Sequence, residues 1–178
     1  ENYLYNIEDK YEQALMDSLE LAKDHGAELV GESSADATVN TAAATKINNI
    51  ITQIRASIND YKKFATFINE TLPAALDKYD ANADFEALVS ELETMSDECS
   101  AAYDDATYNG TQIAEAISSL DTKILTATQA AFENAQTDGE EHDIDITILF
   151  PDKNLSYANS NVNGWANETG TTAFLSRV

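Results

Sequence analysis

Residues 36–73 decide the fold, and they read DATVNTAAATKINNIITQIRASINDYKKFATFINETLP. Apolar side chains recur in this stretch at steps of three and four residues, which is the period of one face of an α-helix. They are Val39, Ala43, Ile47, Ile50, Ile54, Ile58, Tyr61, Ala65, Ile68 and Leu72. The pattern predicts a helix of about 50 Å that is capped by Asp36 and runs to Leu72, where Pro73 breaks or kinks it. A compact globule cannot cover so long an apolar stripe, so an elongated bundle is indicated.

Three further segments show the same period, at about residues 3–30, 85–106 and 111–136. Glycine, asparagine, serine and aspartate fill the short connections between the segments, as is typical of turns. Four helices with short connections favour an up-down antiparallel arrangement. The predicted fold class is therefore mainly α, an elongated antiparallel four-helix bundle over residues 1–138.

The pattern changes after Gly139. Residues 143–150 read DIDITILF, and their strict polar–apolar alternation predicts a β-strand. Asn, Ser, Gly and Thr dominate the sequence from Pro151 onward. We therefore expect a short C-terminal β-strand and irregular extension over residues 139–178. A lone strand has two open edges, so it is expected to pair with the bundle or with a partner.

The charge balance excludes some classes of partner. The chain has 32 Asp and Glu residues against 10 Lys and Arg residues, for a net charge of −22. Such a surface repels phosphate backbones and anionic lipid, so neither nucleic acid nor a charged membrane surface is expected as a partner. The sequence lacks the apolar run of about 18 residues that a membrane span requires. The single cysteine, Cys99, excludes an internal disulfide.

Catalytic candidates are few. The chain has two histidines, His25 and His142, and neither has a serine or cysteine close by in sequence that suggests a nucleophile and its base. Cys99 falls on the apolar stripe of the third helix, where a packed side chain is the simpler interpretation. We predict that the protein is not an enzyme.

A calcium loop is the one metal site that the spacing suggests. Asp80, Asn82, Asp84 and Glu91 occupy the first, third, fifth and twelfth positions of such a loop. The sixth position, which requires glycine for a sharp turn, is Phe85. The preferred interpretation is a solvated turn with Asp84 as the cap of the third helix, and calcium is the alternative. No other cofactor is expected.

Three aromatic residues interrupt the polar C-terminal extension, namely Tyr157, Trp165 and Phe174. Flat aromatic faces pack against sugar rings, so these residues are candidates for a ligand-binding platform. Aromatic side chains also form the core of small β-units, which is the competing interpretation.

Four short stretches carry a resemblance to a known group of proteins. They are residues 130–135 (AAFENA), 145–151 (DITILFP), 154–157 (NLSY) and 163–165 (NGW). In this order they resemble multidomain surface proteins of Bacteroidota, in which a FIVAR-like helical spacer precedes the opening of a jelly-roll module similar to galactose-binding carbohydrate modules. The resemblance implies a secreted or lipid-anchored protein that serves glycan capture or adhesion. It identifies no binding residue.

We therefore expect a non-enzymatic extracellular or cell-surface module, a spacer or ligand-presenting domain in glycan handling or adhesion. Its expected partner is carbohydrate or another surface protein. Two alternatives stay open. One is an assembly subunit whose strand at residues 144–150 adds to the sheet of a neighbour. The other is a helical bundle that senses calcium or a small ligand.

Overall fold

The computed structural model describes residues 9–32, 36–137 and 139–149. Its elements, in chain order, are α1 (Gln13–Gly31), α2 (Ala37–Thr66), a π-turn (Phe67–Thr71), α3 (Leu72–Tyr79), a 3-10 turn (Ala83–Phe85), α4 (Glu86–Asp104), α5 (Gly110–Ala135) and a second 3-10 turn (Ile146–Leu149). α2, the π-turn and α3 follow one another without a break and form one long helix. The predicted mainly α fold with four helices is confirmed, and the described ranges contain no β-strand.

The long helix does not end at Leu72, so that part of the prediction is wrong. The N–H of Leu72 donates to the carbonyl of Phe67, five residues back, which is the π pattern. Both side chains are buried, and the wider π-turn brings residues five apart to the same face. The widened turn also precedes Pro73, whose ring would clash with the carbonyl four residues back in a regular α-helix. The long helix therefore continues to Tyr79 and spans about 65 Å.

The first helix begins later than the sequence period predicted. Residues 9–12 are not helical, and residues 1–8 lie outside the described part of the chain. The N–H of Glu12 donates to Ser57 Oγ at 2.8 Å, and the N–H of Gln13 donates to the Ala106 carbonyl at 3.0 Å. The first N–H groups of a helix have no partner within the helix. Here Ser57 and the Ala106 carbonyl supply the missing partners, and these two hydrogen bonds fix where α1 starts.

The four helices divide into two regions that share the long helix. α1 packs antiparallel on the first part of α2, since its start lies at Ser57 and Gly26 lies near Ile47. We call α1 with residues 37–57 the arm. Residues 58–79 pack with α4 and α5, and we call this three-helix region the base. α4 ends beside the start of α1, so the two helices stack end to end along the long helix.

Each region has its own core. The arm core is small, and its buried members are Leu19, Ala22, Ile50 and Ile54. The base core is larger, and an aromatic cluster lies at the end nearest the arm. In this cluster the ring centroid of Phe64 lies 5.7–6.2 Å from those of Tyr61, Tyr103 and Tyr108, and Tyr61 and Tyr103 are 5.9 Å apart. The Tyr61 hydroxyl donates to the Tyr108 carbonyl at 2.9 Å, and burial raises the pKa of this tyrosine to about 12. The base is thus the enclosed part of the molecule.

Residues 139–149, which we call the connecting segment, do not form the predicted strand. They run as coil into the 3-10 turn Ile146–Leu149. The Asp145 side chain accepts hydrogen bonds from the N–H and the hydroxyl of Thr147 and so closes a local turn. Such side-chain bonds to the neighbouring backbone compete with strand formation. Ile144 and Ile148 pack against the base core instead of contributing to one face of a sheet.

Candidate functional site

The structure places the three catalytic candidates on separate elements with different neighbours. His25 is exposed on α1, with its Nδ1 3.9 Å from Glu28. His142 lies in the connecting segment, where its Nδ1 is 2.9 Å from a carboxylate oxygen of Asp84. Cys99 is buried in the base core. Burial, with the nearby charge of Glu98, raises the pKa of the Cys99 thiol, which disfavours the thiolate that nucleophilic attack requires.

The four residues of the predicted calcium loop, Asp80, Asn82, Asp84 and Glu91, have different surroundings in the structure. Asp80 is exposed at the end of α3. Asn82 caps the 3-10 turn that precedes α4 through a 3.0 Å bond from the N–H of Asp84. The N-cap position of α4 is Phe85 and makes no side-chain cap bond, so Asp84 does not cap this helix as predicted. Glu91 lies further along α4 and pairs with Lys123 at 2.6 Å.

No group of three or more His, Cys, Asp or Glu side chains that could hold a metal ion occurs within the described residues. Calcium binding by the four residues stays a prediction without support from this geometry. The turn before α4 instead contacts the connecting segment. Asn82 Nδ2 donates to the Asp143 carbonyl at 2.8 Å, and Asp84 pairs with His142.

A third polar contact completes this attachment. Lys78 Nζ lies 3.1 Å from Asp145 Oδ2. Hydrogen bonds from Thr147, and then the one from Lys78, lower the pKa of Asp145 to about 2. The same contact raises the pKa of Lys78. Both side chains are more than half exposed, so the ion pair contributes modestly to stability. The contacts of Asn82 and Asp84 and the packing of Ile144 and Ile148 on the base core add to it. The segment after the bundle is therefore held on the base by polar and apolar contacts together.

The predicted aromatic platform cannot be located in the structure. Tyr157, Trp165 and Phe174 all lie outside the described residues. Their role in ligand binding stays a prediction. The last described residue of the connecting segment, Leu149, lies beside the base.

The arm carries an apolar groove that the sequence did not reveal. Within the described residues only α1 and α2 meet here, and no described element covers one side of the apolar stripe that they share. The groove has a volume of about 580 Å³. Its apolar lining includes Met16, Ala27, Val30, Ala44, Ile47 and Ile51. Val30 is 87% exposed, which is unusual for a large apolar side chain beside other apolar residues.

The charge distribution of the arm also departs from that of the chain. Residues 37–59 contain no Asp or Glu and only two charged residues, Lys46 and Arg55, so we call them the acid-free stretch. The facing helix α1 is acidic and carries Asp17, Glu20, Asp24 and Glu28 against Lys23. In a chain with 32 acidic residues, an exposed helix without any acid is a signal that sequence inspection could have found.

Comparisons with known proteins give no further assignment. No protein-family model, no curated protein and no solved structure matches the chain. Among the helices that the structure describes, none combines the length and the apolar character needed to cross a membrane.

Proposed function

We propose that this chain is a non-enzymatic extracellular or cell-surface module that acts as a rigid spacer in glycan handling or adhesion. In this role the bundle fixes the connecting segment, and the residues after it bind carbohydrate or another surface protein. The observation that carries the proposal is the attachment of the connecting segment to the base. A flexible linker would leave the bundle without such contacts.

The attachment has several independent parts. The His142–Asp84 and Lys78–Asp145 pairs bind the segment at two points of the α3–α4 turn region. Ile144 and Ile148 add apolar contacts with the base core. Because these contacts are spread over the segment, loss of one of them would not free the segment.

The two ends of the described chain also have fixed positions on the long helix. Asp9 pairs with Lys62 at 3.2 Å, and Asp145 pairs with Lys78. These two lysines are separated by about 24 Å along the helix axis. The module therefore holds Asp9 and Asp145, which lie near the two ends of the described chain, at separate fixed points of one helix, which is the property that a spacer requires.

Two features of the sequence support the extracellular and glycan parts of the proposal. A net charge of −22 favours solubility at high exposure. The stretches at residues 130–135, 145–151, 154–157 and 163–165 resemble the junction between spacer and carbohydrate module described above. The aromatic residues Tyr157, Trp165 and Phe174 then supply the ligand-facing surface.

The direct test is retention of the full chain on an array of polysaccharides. We expect the wild type to be retained by at least one glycan and Trp165→Ala to lose most of that retention. The matched control is Phe132→Ala, which removes an exposed aromatic side chain from α5 and should leave retention unchanged. Absence of retention for the wild type, or equal losses for both variants, would contradict the glycan part of the proposal.

A further inference from the structure

We propose that the connecting segment is a pH-sensitive strap, which the base holds more tightly when His142 is protonated than when it is neutral. The switch is the contact between His142 and Asp84. This regulation goes beyond the spacer function proposed above and does not depend on glycan binding.

The contact between His142 and Asp84 is direct and shielded from water. His142 Nδ1 lies 2.9 Å and 3.0 Å from the two carboxylate oxygens of Asp84, and the two side chains are only 17% and 24% exposed. An ionised carboxylate can only accept, so Nδ1 carries a hydrogen in both charge states of the ring. A proton gained by His142 therefore binds at Nε2, and the existing hydrogen bond becomes a charge-assisted pair.

The position of this contact lets it control the attachment of the segment. Asp84 belongs to the 3-10 turn of the base, and His142 lies 58 residues later in the connecting segment. The other ion pair of the segment, between Lys78 and Asp145, is 54% and 53% exposed. Opposite charges attract more strongly where water is excluded. A change of charge at His142 therefore affects the attachment more than a change at the exposed pair.

The charged groups of the surrounding elements favour the protonated ring. The titratable side chains of the base in this region lie on both sides of the 3-10 turn and near the end of α5, and those of the segment lie between residues 140 and 145. They are Lys78, Tyr79, Asp80, Glu86, Glu133, Glu140, Glu141, Asp143 and Asp145. Lys78 alone is a cation among these described residues, and it pairs with Asp145. The surplus of acids stabilises a positive charge on His142.

The attachment is therefore strongest at mildly acidic pH. Histidine becomes charged as the pH falls through about 6.5, so the added attraction is present below that range and is lost as the pH rises through it. The contribution of Asp145 is lost only as the pH falls below about 4. Above the histidine range the neutral ring still donates to Asp84, so the strap is loosened and not released.

The test compares amide exchange with water in the full chain at about pH 5 and about pH 7.5, the interval in which histidine changes its charge. Carboxyl, thiol, phenol and lysine side chains ordinarily titrate outside this interval. For residues 143–149, each exchange rate is divided by that of an unfolded peptide of the same sequence at the same pH. We expect protection factors that are about threefold to fivefold higher at the lower pH, because a charge-assisted hydrogen bond is about twice as strong as a neutral one.

Three variants locate the origin of this difference. His142→Gln keeps a hydrogen-bond donor that cannot become charged, so its protection factors should be equal at the two pH values. Asp84→Asn keeps an acceptor for Nδ1 without the negative charge and should lose most of the difference. His25→Gln is the matched control, because His25 is exposed on α1 in the arm and its removal should leave the difference unchanged. Circular dichroism checks that the helices of each variant are intact.

Three results would overturn the inference. They are equal or lower protection of the wild type at the lower pH, an undiminished difference in His142→Gln, and loss of the difference in His25→Gln. None of these measurements involves a glycan, so failure of the strap and failure of the spacer function are separate outcomes.

Discussion

Removal of the Asp145 carboxylate should loosen the connecting segment from the base. This carboxylate accepts the hydrogen bonds of Thr147 and pairs with Lys78, so Asp145→Ala removes the turn and the ion pair together. Asp145→Asn keeps an acceptor for Thr147 and removes only the charge. The expected order of attachment is therefore wild type, then Asp145→Asn, then Asp145→Ala.

The magnitude follows from the pKa of Asp145. Hydrogen bonds from Thr147, and then from Lys78, lower this pKa from 3.8 to about 2, and the full shift would correspond to about 2.5 kcal/mol. The side chain is 53% exposed, so solvent screening reduces the contribution to about 1 kcal/mol. Because the pKa is lower in the folded state, the stabilisation is present above about pH 4 and is lost as the pH falls from about 4 to about 2.

The assay is the exchange of the Thr147 amide with water, measured by NMR. About 1 kcal/mol corresponds to a roughly fivefold fall in the protection factor for Asp145→Ala. Asp143→Ala removes an exposed acidic side chain from the same segment and serves as the control, since the Asp143 contact with Asn82 uses the backbone carbonyl. Unchanged protection in Asp145→Ala, or an equal fall in the control, would refute the account of the attachment.

Two further predictions concern the arm. Ser57→Ala should lower the free energy of unfolding by about 1–2 kcal/mol, because Ser57 is only 5% exposed and its loss leaves the N–H of Glu12 without its partner. Gly26→Ala should raise the free energy of unfolding by about 0.5–1 kcal/mol, because the added Cβ lies 3.6 Å from Ile47 Cδ1, an ordinary contact. Urea unfolding of dilute protein measures both changes.

Each of these variants has a control. Ser100→Ala, at a half-buried position of α4, should change the free energy of unfolding by less than about 0.5 kcal/mol. Gly110→Ala should not gain stability as Gly26→Ala does, because its Cβ would lie 2.5 Å from Asp60 Oδ2. A neutral Ser57→Ala or a destabilised Gly26→Ala would contradict the respective packing argument.

The helical part of the fold could be predicted because its signal is local and long. The apolar stripe from Val39 to Leu72 repeats at the helical period over many turns, and burial of Ile50, Ile54 and Tyr61 follows it. Asp36 caps α2 as predicted, through a 3.1 Å bond from the N–H of Thr38. The Asp36 cap and the helical period depend only on residues that are close in sequence, so both could be predicted from the sequence.

The errors fall where distant residues decide the outcome. The end of the long helix depended on whether the turn before Pro73 widens, and the packing of both Phe67 and Leu72 in the base core, against residues distant in sequence, determines this. The alternation over residues 143–149 was a sound strand pattern. The turn at Asp145 and the packing of Ile144 on the base determined another conformation.

The candidate sites were harder to predict than the fold. Asp84 and Glu91 looked like members of one metal site, but their partners are His142 and Lys123, which are far away in sequence. The groove depends on how many helices cover the arm, and the period of a single helix does not contain that information.

The π-turn has a consequence for how this protein can vary. Deletion of one residue from Phe67–Thr71 would restore regular α-helix and rotate everything after it by about 100° relative to the arm. Ala75 and Tyr79, now in the base core, would then turn toward solvent. The extra residue thus sets the rotation of the base-facing side of α3 relative to the arm-facing side of α2. An insertion or deletion in the long helix is therefore tolerable only when a second one restores this rotation.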